Sequence, residues 1–118
     1  MFNFERLAIW ERSIEFAEYV YTLTKTFPDD ERFGLTSQMR RAAVSISSNI
    51  AEGSSRISKT DFAHFLEYAM GSAFEVVSQA KLSLQLGYIE EKEYRKIYMA
   101  AEEQGKMLSG LRKSLGSR

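Results

Sequence analysis

The chain has 118 residues, of which 44% are apolar, so length and composition fit one ordinary folded domain and exclude a disordered chain. It contains no cysteine, which excludes a disulfide scaffold, a zinc–thiolate site and thiol catalysis. Its 16 basic and 16 acidic residues give zero net charge, whereas general nucleic-acid-binding domains usually have an isoelectric point above ~9. We therefore expect a single domain over residues 1–118.

Four helices separated by short breaks are predicted from the spacing of the apolar residues. The breaks fall at Pro28, at Gly53 with the polar residues after it, and at Gly87. The predicted helices cover about residues 3–27, 35–52, 59–86 and 91–115. Four helices with short connections predict an all-α, up-down-up-down antiparallel bundle.

The first predicted helix has apolar residues at alternating three- and four-residue intervals, the spacing of a buried stripe in a helix bundle. The stripe predicted from this spacing is Leu7, Trp10, Ile14, Ala17, Tyr21 and Thr24, widened by Val20 and Phe27. A polar face of the same helix carries Glu11, Glu15 and Glu18. This acidic face is a candidate interface between subunits.

The second predicted helix has a thin apolar stripe that lets neighbouring helices approach closely. The stripe is Met39, Ala43, Ile46 and Ile50. Thr36 or Ser37 is predicted to cap the helix start, because a hydroxyl there can accept a bond from a free backbone N–H. The acids at residues 29–31, in the preceding loop, are expected to be only solvated.

The third and fourth helices have the clearest spacing. The stripe predicted for the third is Phe62, Leu66, Ala69, Ala73, Val76, Ala80 and Leu84. The stripe predicted for the fourth is Tyr94, Ile97, Ala101, Gln104, Leu108, Leu111 and Leu115. Ser58 is predicted to cap the third helix, and Gly87 suits the left-handed position just after its end.

The sequence offers little for catalysis. His64 is the only histidine, and Asp61 lies three residues before it. A di-iron bundle needs two such pairs plus two more inward-facing carboxylates, so we expect no metal site. One histidine without a nucleophile elbow gives no Ser-His-Asp triad. We expect no enzymatic activity and no cofactor, although a solvated pocket collecting Glu52, Glu75 and His64 would favour an enzyme.

Two polar residues of the second helix need an explanation. Asn49 lies beside the apolar stripe, either as a buried amide that bonds a neighbouring helix and fixes its register, or as a contact for a ligand or RNA. Glu52 lies at the helix end, where the helix dipole disfavours a carboxylate. We therefore expect Glu52 to pair with an arginine, in the same subunit or in a neighbour.

Basic residues lie on and around the second helix and in the C-terminal part of the chain. The candidates for phosphate contact are Arg40, Arg41, Arg56, Lys106, Arg112 and Lys113. Arg118 extends the C-terminal group. Two explanations compete: the basic faces meet the acidic face of the first helix across a subunit boundary, or they bind phosphate. Eight phenylalanines, six tyrosines and one tryptophan also suit a contact surface.

Three blocks of sequence together resemble a known family. The first block is Phe27-Pro28, Phe33-Gly34-Leu35-Thr36, Gln38, Arg40-Arg41-Ala42-Ala43, Ser45-Ile46 and Asn49-Ile50-Ala51-Glu52-Gly53. The second is Asp61-Phe62, Phe65-Leu66, Ala69, Gly71-Ser72 and Glu75, and the third is Leu86-Gly87-Tyr88-Ile89. They resemble the four-helix bundle proteins encoded in intervening sequences of bacterial 23S ribosomal RNA genes.

The resemblance implies an antiparallel four-helix bundle assembled as a ring-shaped homopentamer. Related bundles are accessory variability determinants of retroelements, which bind nucleic acid and a reverse transcriptase. Our leading hypothesis is a non-enzymatic, self-associating, cytoplasmic bundle that binds structured RNA or another nucleic acid. The alternative is a protein-interaction scaffold or accessory subunit without nucleic-acid contact. We expect no membrane association.

Overall fold

The computed structural model describes residues 1–116, which form four helices and no strand. The helices are α1 (Ala8–Thr24), α2 (Leu35–Ser54), α3 (Lys59–Gln85) and α4 (Glu91–Ser114). α1 and α3 each contact both α2 and α4, so the helices follow one another around the molecule in chain order. The body measures 43 × 22 × 21 Å. Within residues 1–116, no helix is both long enough and apolar enough to cross a membrane.

The predicted stripes of α2, α3 and α4 are confirmed at their centres. Met39, Ile46 and Ile50 of α2 are fully buried. The middle of the α3 stripe, from Leu66 to Ala80, is equally buried. In α4 the buried stripe runs from Ile97 to Leu108. The residues at the ends of the α3 and α4 stripes are only partly buried, because the helices extend past the core.

The stripe predicted for the first helix is confirmed at Ala17, Val20, Thr24 and Phe27, but elsewhere it was wrong by about one residue. The side chains that α1 buries are Ile9, Ser13, Phe16, Ala17, Val20, Leu23 and Thr24. Tyr21, predicted inside, is 41% exposed, and Ile14 is only half-buried. Since successive helical residues point ~100° apart, a shift of one residue turns a different face inward. The buried stripe was missed because it contains Ser13, a polar residue that the apolar spacing does not count. The core tolerates Ser13 because its hydroxyl donates to the Trp10 carbonyl at 2.6 Å.

The start of the first helix also differs from the prediction. Asn3–Arg6 forms a short 3₁₀ turn, and Leu7 is extended before α1 begins at Ala8. The Phe2 N–H donates to the Glu5 carboxylate at 2.7 Å, which closes this turn. The rings of Phe2 and Phe4 stack, and Phe4 leans on Trp10 with 4.9 Å between ring centroids. An aromatic cluster therefore lies at the N-terminal end of α1.

The cap of α2 comes from the loop rather than from Thr36 or Ser37. Glu31 accepts a bond from the Leu35 N–H at 3.0 Å and another from the Tyr88 hydroxyl at 2.9 Å. The expectation that this acid is merely solvated was wrong, because its second partner lies 57 residues away in the sequence. The Ser58 cap of α3 is confirmed by its bond from the Asp61 N–H at 3.2 Å. Gly87 has a φ of +82°, as predicted for the residue after that helix.

Candidate functional site

An open groove of about 720 Å³ runs between the outer sides of α3 and α4. We call it the α3–α4 groove. Its apolar lining is Met70, Phe74 and Val77 from α3 with Tyr94, Tyr98 and Ala101 from α4. Gly105 also lines it, and a Cβ added there would meet nothing within 4 Å. The groove exists because small α4 residues leave space beside the bulky residues of α3.

The walls of the groove expose large apolar side chains. Phe74 is 65% exposed and Tyr98 is 47% exposed, while Met99, on the outer face of α4, is 61% exposed. Lys81 and Lys106 add two cations to the lining, and Glu102 adds one acid. The ammonium of Lys81 lies 5.5 Å from the centroid of the Tyr94 ring, within cation–π range. A contiguous apolar surface with charged margins is typical of a binding site.

The two adjacent arginines of α2 are both engaged within the chain. The Arg40 Nε donates to the Thr24 hydroxyl at 2.9 Å, and its guanidinium lies 4.6 Å from the centroid of Tyr21. Arg41 pairs with Glu75 of α3 at 2.7 Å and also donates to Gln38 at 2.8 Å. Both side chains therefore connect α2 to a neighbouring helix.

Two further arginine candidates are also paired. Arg56 bonds Glu52 at 2.9 Å, one helical turn away, and lies 4.7 Å from the centroid of Phe65. The expectation that Glu52 pairs with an arginine is thus confirmed. Arg112 of α4 forms an ion pair with Glu67 of α3. These pairs are exposed, so each contributes only ~0–1 kcal/mol to stability.

Lys106 and Lys113 are the two candidates that form neither an ion pair, nor a side-chain hydrogen bond, nor a cation–π contact with another residue of the described range 1–116. Both are exposed and lie on the outer face of α4, seven residues apart. Arg95, which the sequence analysis did not select, is exposed on the same face. Arg118 lies outside the described residues. The available cationic surface therefore lies on α4 rather than beside α2.

The acidic face of α1 points away from the core. Glu11, Glu15 and Glu18 are all exposed. On one side of this face, Arg12 joins α1 to Glu103 of α4 at 2.6 Å. The hydrogen bond that Arg12 donates to Glu103 is the main cause that raises the pKa of Arg12 above its usual value. This pair could not be predicted from sequence because the two residues are 91 positions apart.

Asn49 does not make the predicted bond to a neighbouring helix. Its amide donates to the Ser45 carbonyl at 2.8 Å and lies 3.1 Å from the Ser45 hydroxyl, both in α2. Ser45 makes the connection to α3 instead, with 2.7 Å between its hydroxyl and that of Ser72. Asn49 therefore orients Ser45, and Ser45 connects the two helices.

The residues that would favour an enzyme do not line either described cavity. Glu52 and Glu75 are each paired with an arginine, and His64 is exposed on α3. The second cavity, of about 230 Å³, lies between α1 and α4 and is lined by residues that include Gln104. Within residues 1–116, no three His, Asp or Glu side chains come close enough to hold a metal ion.

These features define a class: a small all-α protein of four helices, with an apolar groove and opposite charge on two outer faces. The chain belongs to the 23S rRNA-intervening sequence protein family, whose model matches residues 5–110. The resemblance noted from the sequence is thereby confirmed.

A solved structure with the same fold supports this assignment. It is a protein of unknown function from the S23 ribosomal protein family of Bacteroides thetaiotaomicron. It is 27% identical to this chain, with a TM-score of 0.80, and the alignment covers 90% of this chain and 99% of that one. No curated protein sequence matches the chain.

Proposed function

We propose that the protein is a non-enzymatic, up-down-up-down helical bundle that acts as an assembly of several copies. The observation that carries this proposal is the α3–α4 groove, whose large apolar side chains face solvent in a single chain. Exposed apolar patches of this kind on soluble proteins mark interaction sites, because covering them removes apolar surface from water. Glu52 and Glu75 are each paired with an arginine. This pairing supports the proposal that the protein is not an enzyme, because neither carboxylate is free to act in catalysis.

The test is a mass measurement in solution by light scattering coupled to size exclusion, over a range of micromolar concentrations. We expect a discrete species several times the chain mass of 13.5 kDa, and the homopentamer implied by the family resemblance would be five times that mass. A monomer at every concentration would overturn the proposal.

A second candidate function is the binding of structured RNA, favoured by the exposed row of Arg95, Lys106 and Lys113 on α4. Six phosphate contacts would lower affinity by ~10³-fold between 50 and 200 mM salt, whereas two contacts would lower it only ~10-fold. Because four of the six cationic candidates have partners within the chain, we expect the shallower dependence per chain. Fluorescence anisotropy with a labelled RNA hairpin measures this slope, and absence of binding at 50 mM salt would exclude the function.

The alternative of a scaffold for another protein uses the same groove. An affinity purification with cross-linking and mass spectrometry would separate it from self-association. If a foreign protein is captured and copies of this chain are not, the groove serves a heterologous partner.

A further inference from the structure

We infer that the outer face of α1 in one copy docks on α4 and the α3–α4 groove of the next copy, with all copies pointing the same way along the assembly axis. This inference rests on the self-association proposed above and specifies the two surfaces that meet. It makes the contact heterologous, since each copy contributes one surface of each kind.

The docking face of α1 consists of two parallel strips. The acidic strip is Glu11, Glu15 and Glu18. Beside it, on the α2 side, lies an apolar strip that contains Tyr21, which contacts Arg40 of α2. The N-terminal turn, with its exposed aromatic residues, also contacts α2 and therefore extends the apolar strip. The opposite side of α1 is marked by the Arg12–Glu103 pair to α4.

The docking face of α4 has the same two-strip layout with the opposite charge. The basic strip is Arg95, Lys106 and Lys113, with the acid Glu102 between Arg95 and Lys106 on the same face; all four residues are exposed. The apolar strip is the α3–α4 groove, which lies on the α3 side of α4. The acidic strip of α1 therefore has a basic counterpart on α4, and each of these charged strips has an apolar strip beside it.

The spacing of the charges matches. Glu11 and Glu18 are seven residues apart, as are Lys106 and Lys113. At 1.5 Å per residue, both pairs span about 10.5 Å along their helix axes. Two helices packed side by side can therefore bring both acids opposite both lysines at once. Partial desolvation at the interface would strengthen these pairs relative to exposed ones.

The helix order determines the relative direction of the copies. The helices follow one another around the molecule as α1, α2, α3 and α4. Seen from outside, the apolar strip of α1 lies toward the following helix, whereas the groove lies toward the helix before α4. Viewed from outside the molecule, one apolar strip therefore lies to the left of its charged strip and the other lies to the right. This holds whether the helices follow one another clockwise or anticlockwise.

Two copies pointing the same way bring the left side of one face against the right side of the other. The apolar strip of α1 then contacts the groove of the other copy, and the acidic strip contacts the basic strip. If one copy is turned upside down, the apolar strip of α1 lies on the wrong side of the basic strip and the groove stays open. A two-fold contact between these faces is thus disfavoured and a rotational arrangement is favoured.

Charge reversal tests the pairing of the faces. One variant carries Glu11→Lys, Glu15→Lys and Glu18→Lys, and another carries Lys106→Glu and Lys113→Glu. We expect each to weaken assembly by ~100-fold or more in dissociation constant, because like charges then face each other. A chain with all five changes should recover an assembly of wild-type mass, since the charges are complementary again.

A matched control reverses two exposed cations outside both faces, Arg32→Glu with Lys59→Glu. This control should assemble like the wild type, and circular dichroism should show unchanged helix content in every variant. Recovery of assembly by the chain with all five charge reversals is the decisive result. A chain that merely misfolds would not regain assembly when further substitutions are added.

Steric blocking tests the groove independently of charge. Gly105→Leu places a side chain in the groove without a close contact at its Cβ in its own chain. The substitution should leave thermal unfolding of the single chain unchanged or improved, while dissociating the assembly. Ser48→Leu, at an exposed position of α2 outside both docking faces, is the control and should leave the assembly intact.

The outcomes separate this inference from the proposal beneath it. A monomeric wild type overturns self-association itself. A wild-type assembly that tolerates both charge reversals and Gly105→Leu overturns only the assignment of the surfaces. Loss of RNA binding in the Lys106→Glu, Lys113→Glu variant, with its mass unchanged, would assign the basic strip to RNA and overturn the inference as well.

Discussion

At the residue scale, Gly53 shows how closely α2 and α3 approach. It is buried in the last turn of α2. A Cβ placed there would lie 2.6 Å from the Cβ of Phe65 and 3.0 Å from the Cδ1 of Phe62. Because the first contact involves an atom next to the α3 backbone, the helices must separate to accept any side chain. Glycine is therefore required here by packing rather than by backbone conformation.

We expect Gly53→Ala to lower the free energy of unfolding by about 1–3 kcal/mol, the usual effect of overpacking. Gly71→Ala is the matched control, since a Cβ there meets nothing within 4 Å, and it should raise stability by up to ~1 kcal/mol through helix propensity. Urea unfolding of both variants measures the difference. Equal effects of the two substitutions would contradict the close approach.

Tyr88 connects the end of α3 to the loop before α2. Its hydrogen bond to Glu31 is the main cause that raises its pKa above the usual value, and burial adds to it. The folded state thus holds this proton more tightly than the unfolded state. The resulting stability is fully present below the usual tyrosine pKa of ~10 and is lost as the pH rises through the raised folded value.

We therefore expect Tyr88→Phe to reduce the loss of stability as the pH rises above the usual tyrosine pKa of ~10, because the titrating group is gone. The measurement is urea unfolding at several pH values on both sides of that pKa. Tyr68→Phe serves as a control, since Tyr68 is 59% exposed. If wild type and Tyr88→Phe lose stability in parallel, the hydrogen bond is not maintained in solution.

Gln104 is a buried amide with one unused group. It is 2% exposed, and its amide donates to the Ala100 carbonyl at 3.2 Å. Its Oε1 is buried and accepts no hydrogen bond from residues 1–116. We expect Gln104→Leu to raise the free energy of unfolding by about 1 kcal/mol, because a buried acceptor without a partner is removed. Gln104→Glu should do the opposite, and thermal unfolding of both tests the sign.

At the element scale, the stripes of α2, α3 and α4 could be placed from sequence because their three- and four-residue spacing is regular. In α2, for example, the residues beside Met39 and Ile46 are mostly polar or small. α1 carries large apolar residues on two adjacent stripes, so spacing alone could not choose between them. The choice is made by tertiary contacts: Arg40 holds Tyr21 outside, and Ser13 satisfies its hydroxyl within the core.

A matched pair of aromatic substitutions tests this orientation of α1. Phe16 is 4% exposed and Tyr21 is 41% exposed. We expect Phe16→Ala to lower the free energy of unfolding by ~3–5 kcal/mol and Tyr21→Ala to lower it by about 1 kcal/mol through loss of the contact with Arg40. Chemical denaturation at low protein concentration is the measurement. A larger effect at Tyr21 would support the stripe predicted from sequence.

At the scale of the whole molecule, the pairing of charged side chains was the property least well predicted from the sequence. The acidic face of α1 was identified because its members lie within two turns of one helix. Which cations are free could not be predicted, because Arg41 and Glu75 are 34 residues apart and the partner of Arg112 is on another helix. The fold uses these arginines internally and leaves the lysines of α4 exposed, which moves the candidate interface from α2 to α4.

If folded chains assemble through these faces, stability must depend on protein concentration. Assembly stabilises only the folded state, so a hundredfold increase in concentration should add about 2–3 kcal/mol per chain. For a domain of this size, that corresponds to a rise of roughly 10 °C in thermal midpoint. The Lys106→Glu, Lys113→Glu variant should show almost none of this rise, while its midpoint at low concentration stays near that of the wild type. A wild-type midpoint that is constant across the hundredfold range would mean that the groove is not covered by another copy.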